Sequence, residues 1–273
     1  MVAAADVVEL KGARLAFGNR VLWDELDLAV RAGEFIAVLG PNGTGKTSLL
    51  KVLLGQLPLS SGTATVAGRP VTEGSDLIGY VPQHRAIDPG LTLRGSDLVG
   101  LGLDGHRWGV TSLRPAERSR RRAAVDTALR QVNADRLAAV PVGVMSGGEL
   151  QRIRIAQALA SDPVLLLCDE PLLNLDPANA RLVSALIDQR RRDAETAVLF
   201  VTHEVNPVLP YVDRVLYLVD GRFRVGTVDE VMTSDTLSEL YRADIQVVKV
   251  HGRFVVVGEH IDHSGHTSGH THE

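Results

Sequence analysis

Residues 40–47 read GPNGTGKT. Gly40, Gly43 and Gly45 let the backbone curl so that successive N–H groups point inward, and the helix expected directly after them adds the positive end of its dipole. Such a loop cradles a chain of phosphates, with Lys46 reaching the β and γ phosphates and the Thr47 hydroxyl placed to coordinate Mg2+. A magnesium ion there needs a further anchor. In VLLLCDEP, residues 164–171, an apolar run delivers Asp169 to its end, where the carboxylate can hold the ion directly or through water. Glu170 is a second carboxylate at the same tip, placed to orient or deprotonate a water that attacks the γ-phosphate. An isolated Asp-Glu pair would read better as a solvated turn. Here VLFVTHE, residues 198–204, ends another apolar strand with His203, which can contact the γ-phosphate and report whether it is still attached.

The elements that must carry these groups are legible around them. From Val7 to Leu28 the apolar residues alternate in ARLAF and LDLAV, broken by GNR and RAGE, a hairpin-like β pattern. EFIAVLG is a continuous apolar strand running into the glycine loop, and SLLKVLLGQL has helical spacing and ends near Gly55. A second β-rich segment, SGTATVAGRPV, precedes IGYVPQ, and a mostly helical stretch occupies about residues 92–160. PVLLLCDEP and AVLFVTHE read as buried strands separated by the helical PANARLVSALIDQRRRD. Strands alternating with helices imply a parallel sheet covered on both faces. No repeat of 20–50 residues is visible, which sets solenoids aside.

Composition agrees with a globular chain: 273 residues, 45% hydrophobic and 23% charged, enough to bury a sizeable core. The longest apolar stretches fall far short of the roughly 18 residues that a membrane-spanning helix needs. The N-terminus MVAAADVVELKG lacks the pattern of an export signal, so export is not expected. The single cysteine, Cys168, permits no internal disulfide, which suits a reducing compartment, and it reads as a small buried structural residue. A net charge of -4 argues against nucleic-acid binding. Between Arg114 and Arg136, seven arginines stand against three acids, read as a solvated or partner-facing helix.

MSGGELQR, residues 145–152, has no explanation in phosphate chemistry within one chain. With it, the sequence resembles the ATP-binding subunit of an ABC transporter over roughly residues 7–230. The resemblance implies an α/β fold of the P-loop NTPase, ABC ATPase type: a RecA-like mixed-sheet core, an antiparallel β subdomain and a helical subdomain. It makes Gly40, Pro41, Asn42, Gly43, Thr44, Gly45, Lys46 and Thr47 the phosphate loop, with Ser48 also touching nucleotide. Gln83 in YVPQ becomes the Q-loop residue, sharing Mg2+ with Thr47 and Asp169. Ser146, Gly147 and Gly148 belong to the family signature, Asp176 in NLDP to the D-loop, and His203 is the switch histidine. Phe17 falls where the family stacks an aromatic on adenine, a contact that suits any planar base. Catalysis then rests on Lys46, Gln83, Asp169, Glu170 and His203.

By the same resemblance, the signature opens the helix ELQRIRIAQAL, whose N-terminus meets the γ-phosphate bound to an opposite subunit. Two copies close head to tail around two ATP molecules, each site taking its loop from one chain and its signature from the other. Departures from the family pattern are few. Met145 and Glu149 replace the usual first and last signature residues, and Glu149 is expected to slow or tune hydrolysis at most. Phe17 replaces the commoner tyrosine, and LLNLD leaves the role of Asn174 open.

A chain of this kind docks on integral membrane permease subunits, with an extracytoplasmic substrate-binding protein in the full system, and works at the cytoplasmic face of the cell membrane. HRAIDPGLTLRGSDLVG, residues 84–100, lies where the family meets the permease. This segment and LSELYRADIQVVKVHGRFVVVG resemble the branch that serves zinc and manganese importers. Alternatives are an importer of iron-siderophore or another small solute, and a nonmembrane ABC ATPase, although the latter usually carries long coiled coils or two cassettes. A module that only holds ATP would be expected to lack Glu170 or His203. The expected organisation is an ATP-binding domain over 1–235 with its helical subdomain at about 88–160, a short extension over 236–258, and a disordered His-rich tail over 259–273. Five of the nine histidines lie in that tail, which reads as weakly metal-binding, with metal sensing as the sharper alternative.

Overall fold

The computed structural model describes residues 6–83, 88, 90–104 and 115–258. Residues 84–87 and 89 of the expected permease-facing segment, Arg114, and the whole His-rich tail lie outside the described residues.

Alternating burial along β1 (Asp6–Phe17) and β2 (Arg20–Arg31) makes an antiparallel pair, closed by a two-residue turn so that Phe17 faces Arg20 in register. β3 (Phe35–Leu39) is buried at every position and runs into the glycine loop and then α1 (Lys46–Leu53). β4 (Ser61–Val66) and β5 (Arg69–Pro70) complete a four-stranded antiparallel sheet ordered β2-β1-β4-β5. β6 (Ile78–Val81) is followed by the helices α2 (Gly95–Asp104), α3 (Pro115–Gln131) and α4 (Gly147–Leu159). Then come β7 (Leu165–Asp169), α5 (Pro177–Ala194), β8 (Ala197–Val201), and the hairpin of β9 (Arg214–Val219) with β10 (Arg222–Gly226). The six-stranded sheet is ordered β10-β9-β3-β8-β7-β6. It is parallel from β9 to β6 and carries β10 as an antiparallel edge.

The parallel strands are apolar at successive positions because each face has its own core. Ile36, Val38, Leu165, Leu167, Leu199, Val201, Leu216 and Leu218 pack toward α1 and the antiparallel sheet. Phe35, Ala37, Leu166, Cys168, Val198, Phe200, Val215 and Tyr217 pack toward the helices on the other side. Cys168 therefore sits as a fully buried small residue, and burial pushes its thiol pKa well above the usual range. α3 buries only Val125, Ala128 and Leu129, leaving Arg118, Arg120 and Arg122 toward solvent.

The C-terminal part consists of α6 (Val228–Val231), α7 (Ser234–Tyr241) and the two-stranded hairpin of β11 (Ile245–Val250) and β12 (Arg253–Gly258). α7 runs through the junction expected at 235. Ile245 and Phe254 join the helix-side core, while Val248, Val250, Val255 and Val257 are exposed. No helix among the described residues is long and apolar enough to cross a membrane.

Candidate nucleotide site

Because β3, β8, β7 and β6 are adjacent and parallel, their C-terminal tips share one edge of the sheet. Polar groups that follow those tips converge there, the usual place for ligands on open parallel sheets. After β3 the loop needs its glycines. Gly40, Gly43 and Gly45 have φ of 136°, 82° and 97°, a region that residues with a Cβ rarely enter. A Cβ at Gly40 would stand 2.0 Å from the Leu218 carbonyl oxygen, and one at Gly45 would stand 3.0 Å from Trp23 Nε1. Lys46 Nζ donates to the carbonyls of Gly40 and Pro41 at 2.6 and 2.8 Å, and the Thr44 hydroxyl donates to Pro41 O at 3.0 Å. Burial lowers the Lys46 pKa, against the opposing pull of Glu170 and Asp169.

Asp169, 3% exposed, ends β7 with one carboxylate oxygen accepting from Thr47 Oγ1 at 3.1 Å and the other from the Tyr80 hydroxyl at 3.4 Å. Burial raises its pKa, and the Thr47 bond opposes the rise. Thr47 and Asp169 together form an all-oxygen donor pair beside a phosphate-shaped backbone cradle, which fits Mg2+ bound to a triphosphate.

Glu170 takes φ of 47°, the left-handed region, a strained conformation for a side-chain-bearing residue. Its backbone N–H donates to Val201 O at 3.0 Å, tying the tip of β7 to the end of β8. One carboxylate oxygen accepts from Gln83 Nε2 at 3.0 Å, and the other lies 3.8 Å from His203 Nδ1. The tips thus bring Lys46, Thr47, Gln83, Asp169, Glu170 and His203 into one linked cluster. Gln83 is bonded within it to Glu170 rather than to the Thr47–Asp169 pair.

Phe17 is 52% exposed at the end of β1. Its register partner Arg20 donates to Gly43 O at 2.8 Å, so the β1–β2 turn lies against the loop. Asn42 and Thr47 are exposed, Ser48 is half-buried, and Thr44 is buried.

The signature residues make their contacts outside this cluster. Ser146 and Gly147 are exposed at the start of α4, and their neighbours and those of Gly148 are Glu149, Leu175 and Asn179, none of them in the loop at 40–47. A Cβ at Gly148 would meet the Asn179 amide at 2.4 Å, so α4 and α5 approach closely there. Glu149 completes a capping box: its carboxylate accepts from Ser146 N at 3.1 Å and Ser146 Oγ at 2.8 Å, and its own N–H donates to Ser146 Oγ at 3.4 Å. Those bonds hold the Glu149 pKa below the ordinary glutamate value. Asp176 caps α5, accepting from Ala178 N at 2.9 Å and Asn179 N at 3.0 Å.

Arg20 and Tyr80 were not singled out from the sequence as site residues. Arg20 lies in a turn and Tyr80 in a strand, and neither residue type announces a partner as far away as Gly43 or Asp169.

Residues 23–173 match the family model described as ABC transporter. The chain is 33% identical over 240 residues to the zinc transport system ATP-binding protein TroB of Treponema pallidum (strain Nichols), covering 88% of each chain. It is 32% identical over 264 residues to the phosphonates import ATP-binding protein PhnC 1 of Haloquadratum walsbyi (strain DSM 16790 / HBSQ001), covering 96% of this chain and 86% of that one. Among solved structures it is similar to an inward-facing metal-chelate type ABC transporter, with a TM-score of 0.77 and 27% identity over 93% of this chain and 98% of that one. It is also similar to an ATP-binding cassette in a dimeric post-hydrolysis state bound to ADP and phosphate, with a TM-score of 0.66 and 25% identity over 81% and 98%. The matched residues include the glycine loop and the carboxylates of Asp169 and Glu170, and the chain belongs to the ABC transporter family.

Proposed function

We propose that this chain is the ATP-hydrolysing subunit of a zinc or manganese importer. On this reading two copies work on separate membrane permease subunits at the cytoplasmic face of the membrane, fed by an extracytoplasmic substrate-binding protein. ATP hydrolysis with Mg2+ is the activity of the family to which the chain belongs. When bound, Mg2+ supplies positive charge that draws off the negative charge developing on the phosphates.

The observation that carries the assignment of roles is the cluster around Glu170, with Gln83 at 3.0 Å and His203 at 3.8 Å on its two oxygens. Glu170 orients the attacking water and accepts its proton, Gln83 holds the carboxylate by a hydrogen bond, and the His203 imidazole stands beside its other oxygen. Lys46 exchanges its carbonyl partners for phosphate oxygens, a substitution favoured by the dianionic character of the new acceptor. Thr47 and Asp169 hold the metal, and Phe17 stacks on the base. Ser146 and the N-terminus of α4, exposed and making their contacts outside the loop of their own chain, serve the γ-phosphate held by the second copy. Asp176 meets the nucleotide edge of that interface.

Likeness to TroB and to the metal-chelate transporter supports a metal cargo. The PhnC 1 likeness, over a larger share of the chain, supports a phosphonate as the second reading. The test is ATP-driven uptake into vesicles holding the chain assembled with its permease, with Zn2+, Mn2+ and a phosphonate offered separately. Metal uptake that stops in Glu170→Gln is the expected result. Phosphonate uptake without metal uptake would move the cargo to the second reading, and undiminished metal uptake by Glu170→Gln would sink the role of that carboxylate.

A further inference from the structure

His203 presents a difficulty that the cluster alone does not resolve. Its side chain is 56% exposed, so core packing does not hold the imidazole against Glu170. Its place must come from the backbone that carries it, the short segment leaving β8. One end of that segment is anchored in the sheet: Thr202 N donates to Val38 O at 3.2 Å, and the Thr202 hydroxyl pairs with both the N–H and the carbonyl of Glu204, at 3.1 and 2.9 Å.

The other end is anchored outside the sheet. Asn206 Nδ2 donates to Phe254 O at 2.9 Å, and Phe254 N donates to Asn206 Oδ1 at 2.9 Å. The side-chain amide thus behaves like one residue of a β-ladder, clipping the segment to β12 across 48 positions of sequence. Phe254 is itself fixed, 7% exposed in the helix-side core, with Lys249 Nζ 5.0 Å from its ring centroid. Val205, beside Asn206, is buried in the same core.

We propose that Asn206 is a positioning residue for hydrolysis, and that through it the β11–β12 hairpin holds the His203 backbone in the place from which the imidazole reaches Glu170. The proposal rests on the reading of His203 as a member of the catalytic cluster. It gives the hairpin, which lies beyond the residues matched by the family model, a part in the reaction rather than in packing alone. The amide suits this task because it sets an N–H donor beside a carbonyl acceptor in one plane, so both backbone groups of Phe254 are satisfied and the segment cannot slide along β12 without losing both bonds.

A merely structural clip and a positioning clip differ in what they do once the imidazole is gone. The experiment is steady-state ATP hydrolysis by the full chain in four forms: parent, Asn206→Ala, His203→Ala and the double variant. Asn206→Ala is expected to lower kcat by about tenfold, with KM for ATP changed less than about twofold, because the loop at 40–47 is untouched. In the His203→Ala background the same substitution is expected to add no further loss, since residues coupled through a shared backbone segment are non-additive. Asn206→Asp, which keeps the acceptor for Phe254 N, is expected to recover part of the rate. An unchanged kcat in Asn206→Ala, or an equal loss with and without the imidazole, would overturn the proposal. Should Asn206→Ala loosen the whole hairpin, the four-way comparison still decides, because a global defect would lower the His203→Ala rate as well. If His203→Ala alone hydrolyses at the parent rate, the reading of His203 fails and takes this inference with it.

Discussion

Gly40 shows how little freedom the phosphate loop has. Its φ of 136° and the carbonyl of Leu218, 2.0 Å from where a Cβ would stand, leave room for glycine alone. Gly40→Ala is therefore expected to weaken ATP binding by at least about tenfold, read by titration with a fluorescent nucleotide, because β3 and β9 must part to admit the methyl group. Gly68→Ala is the matched control: it shares a positive φ, of 71°, but has no atom within 4 Å of the added carbon, and it should bind ATP as the parent does. At this scale the sequence was most informative where chemistry is local. Asp169 and Glu170 announce themselves at the end of an apolar run, and Lys46 and Thr47 follow their glycines directly. Arg20, Tyr80 and Asn206 give no such sign, since their partners lie 23, 89 and 48 residues away and only the folded chain brings them together.

Among the elements, α4 depends on its cap. Ser146 N and Ser146 Oγ donate to Glu149, and Arg152 and Arg136 add favourable charge, so the folded pKa of Glu149 lies below its unfolded value. A depressed carboxylate contributes stability that is complete above the unfolded pKa and is lost as pH falls through the folded one. Melting curves followed by circular dichroism should therefore show the parent losing more stability than Glu149→Gln between about pH 5 and pH 3, because glutamine can cap without titrating. An equal loss in both would mean that the cap contributes nothing to acid sensitivity. The strands themselves were legible as apolar runs, yet which residues of β3, β7 and β8 face which core was not, because both faces are apolar and alternation vanishes. The hairpin of β11 and β12 read only as an extension: its exposed valines resemble core positions until Phe254 and Ile245 are seen to take the buried face.

For the whole molecule the decisive arrangement is that Ser146, exposed at the start of α4, has Glu149 and not the loop of its own chain as its side-chain partner. If the signature serves a second copy, Glu170→Gln with MgATP should run on size exclusion with light scattering as a pair holding two nucleotides, and with ADP as single chains. A single-chain mass with MgATP at saturating nucleotide would count against the composite site. One further consequence follows from the bond between Glu170 N and Val201 O. It ties two neighbouring sheet tips, so the backbones that carry the carboxylate and, two residues past that carbonyl, the imidazole are joined by a direct hydrogen bond. On the proposed reading, a shift of the β8 tip would therefore carry the Glu170 backbone with it, and the two side chains would share one foundation in the sheet.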